Sequence, residues 1–62
     1  SYLDLFRAVM ELDKKYRVPV LLFYYERYST AEIASILKIP EKTVSTRLFR
    51  AKAKLKNYLK EE

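Results

Sequence analysis

Hydrophobic side chains recur along this chain every three or four residues, which is the spacing of one face of an α-helix. Three short interruptions divide the pattern into four predicted helices, over about residues 2–12, 16–27, 30–37 and 40–59. The predicted core positions are Leu5, Val9, Leu12, Val18, Leu21, Leu22, Tyr25, Ile33, Ala34, Ile36, Leu37, Val44, Leu48, Ala51, Leu55, Tyr58 and Leu59. The pattern predicts an all-α fold, a small four-helix domain.

Local signals predict where these helices begin and end. Ser29 and Glu32 have the S-x-x-E spacing of a capping box, which starts the third helix. Pro19 and Pro40 each suit the first turn of a helix, where the missing N–H breaks no bond. Lys38 falls in the turn between the last two helices, where a left-handed backbone would cost a non-glycine residue roughly 1 kcal/mol.

The third and fourth predicted helices are separated only by the turn 38–40. Two helices joined at a steep angle by so short a turn form a helix-turn-helix, whose second helix commonly enters the major groove of DNA. The fourth helix is predicted to be about 20 residues or roughly 30 Å long. We therefore expect a long C-terminal recognition helix.

Composition favours a polyanionic partner over a catalytic role. The chain has 62 residues, enough for one domain over 1–62, and a net charge of +5. It has no Cys or His, which excludes disulfides and the usual zinc sites, and no Gly-rich phosphate loop. We predict no enzymatic activity, no cofactor and no metal. No apolar run approaches the roughly 18 residues of a membrane span, and because the chain begins at Ser1 we expect a fragment of a longer protein.

The charges are unevenly distributed around the fourth helix. When successive residues are placed about 100° apart around the helix axis, the apolar side chains fall together on one side and form an apolar seam. The opposite face holds Lys42, Ser45, Thr46, Phe49, Arg50, Ala53, Lys56 and Lys60. This face is basic and hydroxylic, has no acid, and is suited to contact phosphates and base edges.

Phe49 is unusual, because it lies opposite a complete apolar seam. It either packs on neighbouring aliphatic stems or contacts thymine methyl groups and sugars in a groove. Arg50 can bond a guanine bidentately or hold a phosphate.

The residues beside this face allow more than one role. Arg47 either contacts DNA or pairs with an acid such as Glu32 or Glu41. Lys54, Lys56 and Lys60 are interpreted as a solvated face, whereas Lys52 is retained as a DNA contact. Ser29 and Thr30 lie at the start of the third helix, where a phosphate can be received.

The motifs resemble region 4 of bacterial sigma factors of the extracytoplasmic-function group, over about residues 12–59. The similar segments are residues 15–26 (KYRVPVLLFYYE), 28–37 (YSTAEIASIL) and 39–52 (IPEKTVSTRLFRAK). The resemblance implies DNA contacts by Thr43, Ser45, Thr46, Phe49 and Arg50, and phosphate contacts near Ser29 and Thr30. Lys42 stands where the family usually has Gly, and Ser45 replaces a usual cation.

The resemblance also implies partners and a cellular location. Region 4 binds the −35 element of double-stranded promoter DNA in the major groove and docks on the β flap of RNA polymerase core. Anti-sigma factors often occlude it. A cytoplasmic, nucleoid-associated protein that directs transcription initiation is therefore expected, with no membrane partner.

Other functions remain open from the sequence alone. One is the DNA-binding output domain of another transcriptional regulator, of similar four-helix build. Another is a protein-interaction domain, since the chain is rich in Tyr and protein interfaces are enriched in that residue.

Overall fold

The structure is a computed structural model that describes residues 1–59, and the elements in that range are all helical. In chain order they are α1 (Tyr2–Met10), α2 (Lys14–Val20), a π-helical segment (Leu21–Tyr25), α3 (Thr30–Leu37), α4 (Glu41–Lys54) and α5 (Lys56–Leu59). The predicted all-α class is confirmed. Lys60, placed on the basic face from the sequence, lies outside the described residues.

Helix α2 begins two residues earlier than predicted, so Pro19 lies in its second turn. The prediction that Pro19 belongs to the first turn is wrong. Its ring cannot donate to the carbonyl of Lys15, one turn before it. Pro19 is almost fully buried, and this burial offsets the lost hydrogen bond.

The chain after α2 widens into a π-helical segment. The N–H of Glu26 donates to the carbonyl of Leu21 over 3.0 Å, five residues back instead of four. Arg27 then takes a left-handed backbone, with φ 67°, and the N–H of Tyr28 closes the end on the carbonyl of Leu22. The extra residue in the turn changes the angle at which each following side chain leaves the helix.

The predicted core stripe of the second helix is only partly correct, since Leu21 packs against the buried cluster but its neighbours in the stripe do not. Val18, Leu21 and Leu22 are only half-buried, and Tyr25 is exposed. The buried side chains of this region are instead Tyr16, Pro19 and Val20.

Helix α3 and its start agree with the sequence analysis. The N–H of Glu32 donates to Ser29 Oγ over 3.0 Å, and the N–H of Ser29 donates to Glu32 Oε1 over 2.8 Å, so the capping box is complete. Lys38 ends the helix in the left-handed conformation, with φ 59° and ψ 46°. Pro40 precedes α4 as its cap, with an extended ψ of 146°, and is not its first helical residue as predicted.

Helix α4 packs against both α2 and α3 and so holds the domain together. Ile33 of α3 and Val44 of α4 are completely buried. A second group of buried side chains, extending to α1 and α2, comprises Val9, Tyr16, Val20, Ala51 and Leu55. Ile36 and Tyr58 were predicted in the core but are 48% and 42% exposed, respectively.

The last predicted helix is not continuous. Helix α4 ends at Lys54, and Leu55 leaves the helical conformation with φ −94° and ψ 6°. The N–H of Leu55 is shared between the carbonyls of Ala51 and Lys52, which is common at helix ends. The chain turns there because Leu55 is buried in the core, and the short helix α5 then carries Tyr58 to the surface.

Candidate nucleic-acid interface

The outer face of α4 has the composition predicted from helical geometry. Val44 and Ala51 face the core, whereas Lys42, Ser45 and Arg50 are exposed on the other side. Thr43 and Thr46 are half-buried at its edge. The helix therefore presents hydroxyl groups and cations to solvent from a rigid, packed support.

Phe49 is the most exposed large hydrophobic side chain among residues 1–59, at 74%. It borders a shallow cleft with Lys52, Ala53 and Lys56, but three quarters of its surface remains in water. Packing on neighbouring aliphatic stems therefore buries only a small part of this ring. An exposed aromatic on a basic face is the kind of apolar group that can contact thymine methyls or sugars.

A basic cleft of about 510 Å³ lies between the start of α2 and the outer face of α4. Its lining residues are Lys15, Tyr16, Pro40, Lys42, Thr43, Thr46, Arg47 and Arg50. The structure thus brings together four of the predicted site residues, namely Lys42, Thr43, Thr46 and Arg50. It adds Lys15 and Tyr16, which sequence reasoning did not assign to the site because they are distant along the chain.

Lysine side chains also gather around Tyr16 on this side of the molecule. Lys15 Nζ lies 5.2 Å from the centroid of the Tyr16 ring, and Lys54 Nζ lies 5.3 Å from the same centroid. Lys54 was interpreted from the sequence as part of a solvated face. The structure instead places its ammonium group within cation–π distance of a buried aromatic ring.

Arg47 is the residue of the cleft for which the sequence left open a choice between a DNA contact and an ion pair. Among residues 1–59 the single salt bridge joins the Ser1 ammonium group to Asp4, so Arg47 pairs with neither Glu32 nor Glu41. Its side chain lines the basic cleft and also a neighbouring cleft formed by Val18, Leu37 and others. The ion-pair interpretation therefore has no counterpart in the described part of the chain.

Five predicted site residues lie apart from the basic cleft, namely Ser45 and Phe49 on the outer face described above, and Lys52, Ser29 and Thr30. Lys52 borders clefts on the α5 side of α4, together with Phe49 in one and Tyr24 in the other. Ser29 caps α3 through the bonds described above. Thr30 donates a hydrogen bond from Oγ1 to Glu41 Oε2 over 2.7 Å, so its hydroxyl proton is already engaged.

Glu41 is the residue of this region whose role sequence reasoning missed. The sequence suggested it only as an ion-pair partner for Arg47. The bond from Thr30 shows that it instead ties the start of α4 to the start of α3. The acceptor of that hydroxyl lies eleven residues away along the chain and gives no local signal, because the contact depends on the angle between the helices.

The comparisons with known proteins agree with this arrangement. The family model described as Sigma-70, region 4, matches residues 2–55, which is most of the chain. The chain belongs to the sigma-70 region 4 family. The matched residues begin at Tyr2, so α1 belongs to the family unit, although the resemblance noted from the motifs began only near residue 12.

A curated relative supports the extracytoplasmic-function group that the motifs indicated. The chain is 38% identical over 55 residues to the ECF RNA polymerase sigma factor SigW of Bacillus subtilis (strain 168). The similar residues cover 89% of this chain but 29% of that relative, so the chain spans less than a third of its length. No solved structure matches the chain significantly. In residues 1–59, no helix combines the length and apolarity that crossing a bilayer requires.

Proposed function

We propose that this region 4 domain recognises the −35 element of a promoter as part of an extracytoplasmic-function sigma factor. The observation that carries the proposal is the outer face of α4, where exposed Phe49 and Arg50 accompany hydroxyl groups and Lys42. No acidic residue lies on that face beyond the first residue of the helix, Glu41. DNA recognition is what such a face on the second helix of a helix-turn-helix is suited to do.

The dimensions of α4 suit insertion into a groove. Its 14 residues span about 21 Å, and the major groove of B-DNA is roughly 12 Å wide, which admits one helix. Arg50 is placed to bond the O6 and N7 acceptors of a guanine. Phe49 is placed to contact a thymine methyl, and Ser45 and Thr46 to bond base edges or phosphates.

The remaining predicted contacts position the domain on the duplex. Lys42 and Thr43 lie at the beginning of α4 and Ser29 at the beginning of α3, where backbone phosphates approach the helices of this motif. Thr30 contributes chiefly by holding Glu41, since its hydroxyl donates to that carboxylate. Lys52 would contact the DNA from the α5 side of α4, opposite the basic cleft and next to Phe49.

Protein partners are proposed on a separate surface. In the family these partners are the β flap of RNA polymerase core and an anti-sigma factor, and the same assignment places the domain in the cytoplasm, at the nucleoid.

Helix α1 exposes Tyr2, Leu3 and Met10, and its Phe6 ring meets that of Tyr25 edge to face at 5.7 Å. Partial burial, and secondly the neighbouring Tyr2, raise the pKa of Tyr25. This apolar surface favours protein contacts away from α4.

The experiment that tests the proposal is fluorescence anisotropy on two labelled duplexes across a salt series. One duplex carries an AAC-containing −35 element of the kind this family prefers, and the other carries the same bases in scrambled order. Tighter binding to the element, with a salt dependence that reports several phosphate contacts, is the expected result. Equal binding to both duplexes would leave only a basic surface and would favour the protein-interaction alternative.

A further inference from the structure

We propose that Lys15 and Lys54, both held against the ring of Tyr16, form a phosphate clamp that grips the duplex backbone beside α4. The proposal rests on the DNA-binding function proposed above and adds contacts outside the helix-turn-helix face. Lys15 belongs to α2, before the motif begins, and Lys54 is the last residue of α4. Residues distant along the chain would thus act on one strand of the backbone.

The position of the two ammonium groups is set by packing. Tyr16 is only 8% exposed, and it belongs to the buried cluster that joins α2 to α4. Lys15 Nζ and Lys54 Nζ lie 5.2 Å and 5.3 Å from its ring centroid. Both ammonium groups therefore lie beside the same buried, packed ring, and this contact limits the side-chain entropy that would be lost on binding an anion.

The electrostatics of this point favour an added anion. Lys15 also lines the basic cleft with Lys42, Arg47 and Arg50, and no acid lines that cleft. Among residues 1–59, neither Lys15 nor Lys54 lies within salt-bridge distance of a carboxylate. Several positive charges without a countercharge repel one another, and a phosphate placed among them relieves that repulsion.

The position of Lys54 around α4 favours a contact with the DNA backbone over a contact with a base. Thr43, Arg47 and Lys54 follow one another at spacings of four and seven residues, so they form one flank of α4, on the side of Tyr16. Phe49 lies on the outward face, about 140° around the helix from Lys54. When the outward face enters the groove, this flank meets the groove wall, which consists of phosphates.

The test uses the single variants Lys15→Gln and Lys54→Gln and the double variant, each on the −35 duplex and on the scrambled duplex. The control is Arg7→Gln, which removes the same charge from exposed helix α1. One phosphate contact contributes about 0.9 to the slope of log K against log salt, so its loss weakens binding about eightfold at 0.1 M salt. We expect that loss in each single variant, equally on both duplexes, and twice the slope change in the double variant.

The outcomes separate this inference from the function on which it rests. The clamp is overturned if the wild-type domain prefers the −35 duplex but the salt slope is unchanged in both lysine variants, or is lowered equally by Arg7→Gln. Promoter recognition stands in that case. Slopes lowered only by the lysine variants, with no preference between duplexes, support the clamp and overturn promoter recognition. Thermal unfolding of each variant checks the fold, since a merely structural role of Lys54 would change stability without changing the salt slope.

Discussion

Thr30, the first residue of α3, donates a hydrogen bond to Glu41, the first residue of α4, over 2.7 Å. The bond joins the N-terminal ends of the two helices of the helix-turn-helix. It spans the turn that contains left-handed Lys38, and so it helps to fix the angle at which α4 leaves α3. The orientation of the proposed recognition helix therefore depends on a polar contact as well as on the core.

Removing this contact is expected to lower stability by a modest amount. Thr30→Val keeps the branched shape and removes the hydroxyl, and Glu41→Ala removes the acceptor. Hydrogen bonds contribute about 0.5–1.5 kcal/mol, and the exposure of Glu41 places the coupling near the lower end. Urea unfolding of the two single variants and the double variant gives that coupling. Strictly additive effects would show that the contact does not stabilise the domain.

Arg50→Ala is expected to weaken binding to the −35 duplex by about 1–3 kcal/mol and to relax discrimination at one base pair. The reason is the loss of a bidentate bond from the outward face of α4. Anisotropy titrations against duplexes substituted at each position measure both effects. Arg7→Ala on α1 is the matched control, and an equal loss in the two variants would contradict the assignment of the outward face.

Phe49→Ala is expected to weaken DNA binding while leaving the stability of the fold nearly unchanged. Because the ring is 74% exposed, its removal changes the free energy of unfolding by less than about 0.5 kcal/mol. Affinity for the −35 duplex should fall about tenfold if the ring contacts the groove, which corresponds to about 1.4 kcal/mol.

The comparison variant for Phe49 is Val44→Ala, on the opposite side of the same helix. Val44 is completely buried, so truncation should cost roughly 2 kcal/mol of stability. Thermal unfolding and anisotropy on both variants give the contrast. A destabilised Phe49→Ala that retains full affinity would instead assign the ring a structural role.

Lys38→Gly is expected to stabilise the domain by up to about 1 kcal/mol. Lys38 has φ 59°, a conformation that glycine adopts without the steric cost of a Cβ atom. Lys38→Ala removes the same charge but keeps the Cβ, so it should give no gain. A rise in melting temperature that is equal in both variants would point to charge and not to backbone strain.

Local signals predicted several features that depend on residues close in sequence, although they misplaced Pro19 and Pro40 within their helices. The capping box of Ser29 and Glu32 and the bounds of α3 follow from spacing alone. The outward face of α4 also followed from sequence, because Val44 and Ala51 fix the buried side by helical periodicity.

Features that depend on tertiary packing were not predicted. Burial of Pro19 lets α2 pass through a proline, and the wider turn after it moves Tyr25 out of the core. The clustering of Lys15 with Lys54 depends on how α2 crosses α4, and the bond between Thr30 and Glu41 depends on the angle between α3 and α4. None of these contacts has a periodic or local signal in the sequence.

The small core has a thermodynamic consequence for a domain in which α4 both packs the core and is the proposed recognition helix. Val44 and Ala51 of α4 are among the seven buried apolar side chains that form the core of residues 1–59. Folding and DNA binding are consequently linked equilibria, since an unfolded chain has no α4 to place in the groove. A duplex at one hundred times its dissociation constant adds about 2.7 kcal/mol to the stability of the folded state. Promoter binding would thus add stability to a folded domain whose own hydrophobic core is small.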